Sequence, residues 1–359
     1  GWGKARVKKR VQSSRFQRPW GFFYLSRMYG RQRTQWVWSL TILALSCFVS
    51  VSVAASAFAD DNMMKRRQPG ILTGMPFMAH VVDRTFVDDL GRKIFFSKVP
   101  TRIVSLAPSI TEMLFALGLD AQIVGVTQFC DYPPQALAKP KVGGTLPNVE
   151  SIVALKPNLV VTPAAFIQPE VLAKLEQLRI PVFVIESTSV DDIVSDIQTL
   201  GRMVDRGTAA TELIMGMRRR IDAVKAQVEG TVRPRVFYVL NSNPLITVGP
   251  GSYIHHLIEL AGGINIAAQA SGSYPRLSIE QVLKEDPQVI LFPTGDSEWI
   301  PDIEQQRCKQ WPILSSVKTG RFSQIPSVLV DRPGPRVVDA LERLFHLLHP
   351  EHEKARQGS

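Results

Sequence analysis

The sequence predicts an α/β protein of two lobes, each built around a mostly parallel sheet, that are joined by a long α-helix. From residue 102 onward, short runs of Val, Ile and Leu alternate with amphipathic segments. This pattern is typical of parallel strands that are buried on both faces and covered by helices. The alternation stops over residues 191–230 and then starts again. A pattern at 150–163 also recurs at 280–293, which indicates that the two lobes share one architecture.

The N-terminal lobe is predicted over residues 81–190, after a linker at 60–80. It begins with a β-hairpin whose glycine turn lies at 88–91. Ser109 and Glu112 have the spacing of a capping box, which would open a helix that ends at Gly118. The other predicted elements are strands at 102–106, 122–126, 159–162 and 181–186, and helices near 149–155 and 168–178.

A helical connector is predicted over residues 191–230. Apolar residues at helical spacing from Leu213 to Val228 predict one long helix, which Gly230 would end. The run Arg218–Arg220 lies outside this apolar stripe and is expected to face solvent. The C-terminal lobe follows over 231–349, with a tail at 350–359. Its predicted elements are strands at 235–240, 245–248, 289–292 and 328–330, and helices at 252–261, 278–285 and 336–348.

The net charge of +10 comes from the start of the chain of 359 residues. Residues 1–59 hold ten of the 42 Lys and Arg residues and no acid, so the remaining 32 basic residues balance the 32 acidic ones. Because nucleic-acid binding needs a basic face on the folded domain, we expect no nucleic-acid partner. Residues 34–59 carry no charge and end in Ala57-Phe58-Ala59. They predict a signal peptide cleaved near Ala59, with an uncleaved anchor helix as the alternative.

The cysteines and histidines give no sign of a metal site. Cys130 and Cys308 could form a disulfide in an oxidising compartment or remain thiols, and the sequence leaves both open. The spacing of His346, His349 and His352 is that of metal ligands, but Pro350 ends the helix there. We expect solvated histidines at a helix end. The common sequence motifs of nucleophilic, phosphate-binding and zinc-dependent enzymes do not occur in the chain.

Three loops carry the residues that would contact a ligand. In open α/β sheets, ligands bind beyond the carboxyl ends of the strands, and two lobes can face each other across such a site. Aromatic side chains with a few polar groups suit a large, flat, partly apolar ligand. The loop at 127–134 contains Phe129, Asp131 and Tyr132, the loop at 273–276 contains Tyr274 and Arg276, and the loop at 331–336 contains Asp331 and Arg336.

Residues 81–348 resemble the cobalamin-binding proteins of ABC importers, which are helical-backbone members of the periplasmic substrate-binding proteins. The matching segments are 102–109 with Thr111 and Glu112, 124–127, 130–134, 150–157, 277–282 and 332–336. The resemblance implies the periplasmic-binding-protein fold of helical-backbone type, with two Rossmann-like lobes bridged by a long helix. It also implies a periplasmic location, a corrinoid ligand bound between the lobes, and delivery to a membrane permease. A monomer with no cofactor, no metal and no catalytic residue is expected.

The resemblance also assigns roles to single residues. Phe129 occupies an aromatic position that contacts ligand in the family, and Tyr274 falls where cobalamin binders carry Trp. Asp331 matches an acid that approaches the corrin side-chain amides, and Arg336 lies in the same loop. The pair of Glu150 and Glu280 resembles the two acids that dock onto permease arginines. An acid in the first turn of a helix also complements the helix dipole, which is a purely structural alternative.

The identity of the ligand stays open at this point. Leu146 and Pro163 fall near positions where cobalamin binders use Trp, so haem or a ferric siderophore remains an alternative. Haem would need a ligand such as Tyr132 or Tyr274. An anionic siderophore would need arginines, for which Arg276, Arg332 and Arg336 are the candidates. An envelope enzyme that uses the carboxylates of Asp131 and Asp331 is a further alternative.

Overall fold

A computed structural model of the protein describes residues 84–295 and 309–352. The predictions for the leader, the linker and Cys308 fall outside these ranges. None of the helices in the described ranges is long and apolar enough to span a membrane.

The N-terminal lobe opens with the predicted hairpin and continues into a parallel sheet. Strands β1 (Thr85–Val87) and β2 (Lys93–Phe95) pair antiparallel around a turn in which Gly91 has φ +75°. The sheet consists of β3 (Ile103–Ser105), β4 (Ile123–Val126), β5 (Leu159–Pro163) and β6 (Val182–Ile185). All its strands are parallel and lie in the order β4-β3-β5-β6. The predicted strands of this lobe are confirmed.

Three α-helices accompany this sheet: α1 (Pro108–Ala116), α2 (Val149–Ala154) and α3 (Pro169–Gln177). The predicted capping box at the start of α1 is wrong, because Ala107 is the N-cap residue and makes no side-chain cap. Pro108 instead occupies the first turn, where its missing N–H costs nothing. Glu112 therefore lies more than a turn inside the helix and is buried. The predicted helix end is confirmed, since Gly118 has φ +74°.

The connector is helical, as predicted, and consists of α4 (Val190–Met203) and α5 (Gly207–Val228). The two helices pack closely at Gly201, where an added Cβ would come within 2.4 Å of the Ala210 Cβ. Arg218 and Arg219 are exposed, as predicted, and Arg220, whose side chain is 41% exposed, is ion-paired as well. Its guanidinium binds the carboxylates of Asp339 and Glu342 on the last helix.

The C-terminal lobe repeats the sheet of the first lobe. Its strands are β7 (Arg235–Tyr238), β8 (Asn241–Ser242), β9 (Leu245–Ile246), β10 (Ile264–Asn265), β11 (Val289–Thr294) and β12 (Phe322–Pro326). Strands β8 and β9 form a short hairpin, and the others form a parallel sheet in the order β10-β7-β11-β12. When the strands of each parallel sheet are numbered in chain order, both sheets have the order second, first, third, fourth, which confirms the duplicated architecture.

The helices of this lobe are α6 (Tyr253–Leu260), α7 (Ile279–Glu285), α8 (Ser315–Thr319), α9 (Ser327–Val330) and α10 (Val337–Leu348). The strand predicted at 328–330 is wrong. These residues form α9, and the strand is β12, which ends just before them. Because β12 lies at the edge of the sheet and is only partly buried, its sequence lacks the continuous apolar run on which the prediction relied.

One hydrophobic core is continuous through both lobes. It contains Leu159 and Val161 from the first sheet, Val236 from the second, and apolar residues of α4, α5, α6 and α10. Each sheet has a separate cluster on its other face, and the two lobes belong to one compact unit. A large rotation of one lobe against the other would therefore disrupt the shared core, so the architecture favours small changes in the width between the lobes.

Candidate ligand-binding cleft

A narrow cleft lies between the lobes at the carboxyl ends of the strands, where the sequence predicts a ligand. The N-terminal lobe contributes Ser109, Ile110 and Met113 from α1, residues 163–165 at the end of β5, and residues 185–188 at the end of β6. The C-terminal lobe contributes residues 251–253, Ser273, Tyr274 and Pro333. The cavity measures about 70 Å³, far below the roughly 300–1,000 Å³ of small-molecule pockets. A large ligand would therefore enter only if the lobes moved apart or the loops shifted.

Tyr274 is the predicted ligand residue that the structure places on the wall of this cleft. It is half-buried and packs against the shared core. Beside it, Tyr253 also lines the cleft, and its hydroxyl donates to the Val330 carbonyl oxygen. Ser109, Ser187, Thr188, Ser252 and Ser273 also line the cleft, so its wall is largely uncharged and mixes apolar with hydroxyl-bearing side chains.

A network of ion pairs joins the lobes next to the cleft. The Arg336 guanidinium donates to both carboxylate oxygens of Glu112, with Nε–Oε2 and Nη2–Oε1 distances of 2.8 and 2.6 Å. The Arg332 guanidinium donates to both oxygens of Asp131 at 2.6 and 3.1 Å, and also to Glu112 Oε1 at 3.3 Å. The ring of Tyr132 lies 4.1 Å from the Arg336 guanidinium carbon. Two arginines of one lobe are thus neutralised by two carboxylates of the other.

The pKa values of two acids in this region shift in opposite directions. For Asp131, burial disfavours the charged form, but the hydrogen bonds and charge of Arg332 outweigh it and hold the pKa below its ordinary value. For Asp331, burial dominates over the charge of Arg332 and raises the pKa to about 7. Behind it, the Tyr238 hydroxyl is buried without a hydrogen-bond partner, and burial together with the charge of Asp331 raises its pKa.

The structure separates the predicted ligand residues into groups. Asp131, Tyr132 and Arg336 belong to the interlobe network, together with Arg332. Asp331 lies at the end of α9, two residues from the cleft residue Pro333, and is not itself on the cleft wall. Phe129, Arg276 and Leu146 also lie outside the wall, whereas Pro163 is part of it. Arg276 is exposed on the loop before α7, and Phe129 lies near Gly144.

Glu112 is the functional candidate that the sequence did not reveal. It is only 3% exposed, and both arginines of the network converge on it. The available signal was its position in the apolar segment 108–116, because a buried acid needs a partner of opposite charge. Its partners lie more than 200 positions away in the chain, so the pattern around Glu112 could not identify them.

Comparison with known proteins settles the family. A family profile described as periplasmic binding protein matches residues 103–328. The chain belongs to the periplasmic binding protein family. A vitamin B12-binding protein from Vibrio cholerae is 34% identical over 245 residues, which are 68% of this chain and 87% of that protein. These matches confirm the family predicted from the sequence motifs.

Solved structures of periplasmic binding proteins share the fold. The periplasmic vitamin B12-binding protein BtuF of Vibrio cholerae superposes with a TM-score of 0.61 at 33% identity, covering 70% of this chain and 97% of that one. The periplasmic heme-binding protein RhuT from Roseiflexus sp. RS-1 gives a TM-score of 0.62 at 26% identity, covering 69% and 98%. The predicted fold class is confirmed.

Glu150 and Glu280 occupy equivalent positions in the two lobes of this periplasmic binding protein. Each is the second residue of its helix, α2 or α7, and both side chains are exposed. Hydrogen bonding by backbone N–H groups at the helix start lowers the pKa of both carboxyls. The Lys174 ammonium lies 3.5 Å from Glu150. Both acids are therefore charged at neutral pH and open to solvent.

The remaining titratable candidates have structural surroundings. The Cys130 sulfur is buried and lies 3.1 Å from Thr111 Oγ1 and 3.2 Å from Thr127 Oγ1. The expectation of solvated helix-end histidines is wrong for His349, which is buried with its Nε2 atom 3.0 Å from the Ala261 carbonyl oxygen. Within residues 84–295 and 309–352, no three His, Cys, Asp or Glu side chains are grouped so as to hold a metal ion.

Proposed function

We propose that this protein is the substrate-binding component of an ABC importer, which captures cobalamin between its lobes and delivers it to a membrane permease. The observation that carries the proposal is the 34% identity to a vitamin B12-binding protein over 68% of the chain. The cleft supports it, since its wall combines Tyr274 with uncharged hydroxyl groups. The protein binds its ligand and catalyses no reaction, and it works as an exported monomer in the periplasm.

The ligand is held by stacking and hydrogen bonding. Tyr274 offers an aromatic face. The hydroxyl oxygens of the wall offer acceptors to the side-chain amides of a corrin ring, since those of Ser187, Thr188 and Ser273 already donate within the protein. Asp331 lies next to the wall and, when protonated, can both donate and accept. Phe129, Asp131, Tyr132, Arg276 and Arg336 would contact the ligand only after the cleft has widened.

Delivery depends on Glu150 and Glu280. Each lobe presents one exposed carboxylate at the same place in its repeat, which suits docking onto a permease with two-fold related basic sites. Neither acid lies on the cleft wall, so capture and docking use separate surfaces.

Haem is the second candidate ligand, because the fold is shared with a heme-binding protein and Tyr274 could ligate iron. Titration of the purified protein with cyanocobalamin and, separately, with haem decides between them. We expect saturable one-to-one binding of cyanocobalamin, weakened by up to about tenfold in Tyr274→Ala. Phe95→Ala is the control, because Phe95 is an exposed aromatic residue on the hairpin. Tight haem binding without cobalamin binding would make haem the ligand of the importer. Binding of neither would refute the proposal.

Docking is tested with the permease in membrane vesicles. Glu150→Gln and Glu280→Gln should each weaken binding to the vesicles and leave cyanocobalamin affinity unchanged. Glu170→Gln is the matched control, since Glu170 is also an exposed acid at the second position of its helix but lies outside the repeat. An equal loss of docking in the Glu170 variant, or a loss of ligand affinity in the other two, would contradict the assignment.

A further inference from the structure

We propose that Glu112 and Asp131 set the charge selectivity of the cleft. By neutralising Arg332 and Arg336 they make the site select ligands whose peripheral groups are amides and reject ligands that carry carboxylates. The inference rests on the proposed function, because it specifies the chemical class that the same site accepts.

Both guanidinium groups are already occupied by protein carboxylates. Arg336 forms a two-pronged contact with Glu112, and Arg332 forms another with Asp131. Arg336 also donates to the Val328 carbonyl oxygen, and Tyr132 covers one face of its guanidinium. These contacts take three of the five N–H donors of each arginine and neutralise its charge, so a carboxylate of a ligand gains little from either guanidinium.

The pairs made by Glu112 are too buried to exchange partners easily. Side-chain exposure is 14% for Arg332, 19% for Arg336 and 2% for Glu112. A ligand carboxylate that took an arginine from Glu112 would leave that acid charged and unpaired in the interior, which is strongly unfavourable. The exchange would replace one buried ion pair with another and strand a charge, so it yields no net binding.

The network adjoins the cleft directly. Its loop, 332–336, includes the cleft residue Pro333, and Glu112 is followed by the cleft residue Met113. The loop also packs onto the first turn of α1, since a Cβ at Gly334 would lie 3.2 Å from the Ser109 carbonyl oxygen. The network therefore adjoins the cleft wall along both α1 and the loop 332–336.

The cleft wall itself offers no cation to a carboxylate. Among the described residues that line the cleft, the single charged side chain is that of Glu186, an acid. An anionic ligand would meet this repulsion without a compensating arginine, whereas amide groups can pair with the hydroxyl groups of the wall.

The test compares matched ligands on the purified full-length protein. The probes are cyanocobalamin, cyanocobalamin with one side-chain amide hydrolysed to a carboxylate, and haem. We expect the wild type to bind the amide form more tightly than the carboxylate form. Asp131→Asn should narrow the ratio of the two affinities by about tenfold, because it releases Arg332 for a charge-assisted hydrogen bond with the ligand carboxylate. Glu112→Gln should also narrow the ratio. In both variants the increased affinity for the carboxylate form should become smaller with added salt.

Asp339→Asn is the control for removing an acid from an arginine pair. Asp339 binds Arg220 away from the cleft, and its side chain is 41% exposed against 44% for Asp131. Asp131 is exposed enough for its variant to fold even if the buried Glu112→Gln substitution does not. An unchanged ratio in Asp131→Asn would overturn the inference while leaving cobalamin capture intact. If the wild type does not bind cyanocobalamin, the proposed function fails, and the haem arm then decides the inference: tighter haem binding in Asp131→Asn supports it, and unchanged or absent haem binding overturns it.

Discussion

Asp196 on α4 provides a sharp prediction about stability and pH. Its side chain is buried, with the residue 8% exposed, and its Oδ2 accepts a hydrogen bond of 2.6 Å from the Ser187 hydroxyl. Burial raises the pKa to about 7. The Ser187 hydrogen bond opposes the increase, and the nearby charges of Asp89 and Asp192 add to it. The folded protein therefore holds a proton on Asp196 that the unfolded chain releases near pH 4.

The sign and size of the effect follow from proton linkage. Between about pH 4 and 7 the folded state binds more protons than the unfolded state, so the contribution of Asp196 to the free energy of unfolding falls as pH rises. The difference between pKa 3.8 and about 7 corresponds to at most about 4 kcal/mol. Asp196→Asn removes this cost, because an amide stays neutral and can still accept from Ser187.

Urea denaturation at pH 4.5, 6 and 8 measures the effect. We expect the Asp196→Asn variant to be most strongly stabilised at pH 8 and nearly equal to wild type at pH 4.5. Asp192→Asn is the matched control, one turn away on the same helix. Asp192 accepts hydrogen bonds from the Thr188 and Ser189 N–H groups. Burial disfavours its charge, but hydrogen bonds from Thr188 and Ser189 outweigh this and lower its pKa.

The control should move in the opposite direction. Loss of the Asp192 charge should destabilise the protein at pH 8 by about 1 kcal/mol, and the loss should vanish as pH falls through the pKa of the folded protein. The reasoning about Asp196 is refuted if Asp196→Asn lowers the urea midpoint at pH 8, or changes it equally at all three pH values.

Three further predictions concern the helices. Gly201→Ala should lower the free energy of unfolding by about 1–3 kcal/mol, measured by urea denaturation, because the new methyl group would meet Ala210 at 2.4 Å; an unchanged midpoint would contradict the close packing of α4 and α5. Arg220→Ala should cost no more than about 1 kcal/mol and less in high salt, because its ion pairs are 41% exposed on the arginine side; a larger, salt-independent loss would show that packing dominates. His349→Gln should reduce the loss of stability below pH 6.5, since burial lowers the pKa of His349 and protonation favours the unfolded chain; thermal melts at pH 5 and 7 would show no such difference if His349 stayed neutral in both states.

The fold was accessible from the sequence because both sheets are parallel and buried. Such strands appear as continuous apolar runs, and the recurrence of 150–163 at 280–293 revealed that the lobes are equivalent. Strand β12 was not predicted, because an edge strand with one exposed side does not produce such a run. The apolar residues 328–330 after it belong to a helical turn. Short apolar runs alone do not distinguish these cases.

The cleft was predictable in position but only partly in composition. Strand ends fix where a ligand can bind, and Tyr274 was found on that basis. The roles of Asp131, Tyr132 and Arg336 were not predictable, because they depend on contacts between lobes. In the sequence, Asp131, Arg332 and Arg336 look free to contact a ligand. In the fold, they form ion pairs between the lobes, with Glu112 as the second acid.

The duplication also explains how Glu150 and Glu280, the two acids proposed for docking, are held alike. Arg102 donates to the Leu155 and Lys156 carbonyl oxygens at the end of α2. At the matching place in the second lobe, Arg235 donates to the Glu285 and Asp286 carbonyl oxygens at the end of α7. Each guanidinium thus stabilises the carbonyl end of the helix whose first turn carries Glu150 or Glu280.

The equivalence of α2 and α7 is geometric and does not extend to charge. Residues 156 and 286 both adopt left-handed backbone conformations, with φ of 47° and 42°, directly before the proline that ends the helix. The charges around them differ. In the first lobe, Lys174 lies 3.5 Å from Glu150. In the second lobe, the residue that corresponds to Lys156 is an acid, Asp286, which accepts hydrogen bonds from Ser315. The two lobes therefore present acids in matching positions with unequal local fields. If both acids dock onto a permease, Glu150→Gln and Glu280→Gln therefore need not weaken docking equally.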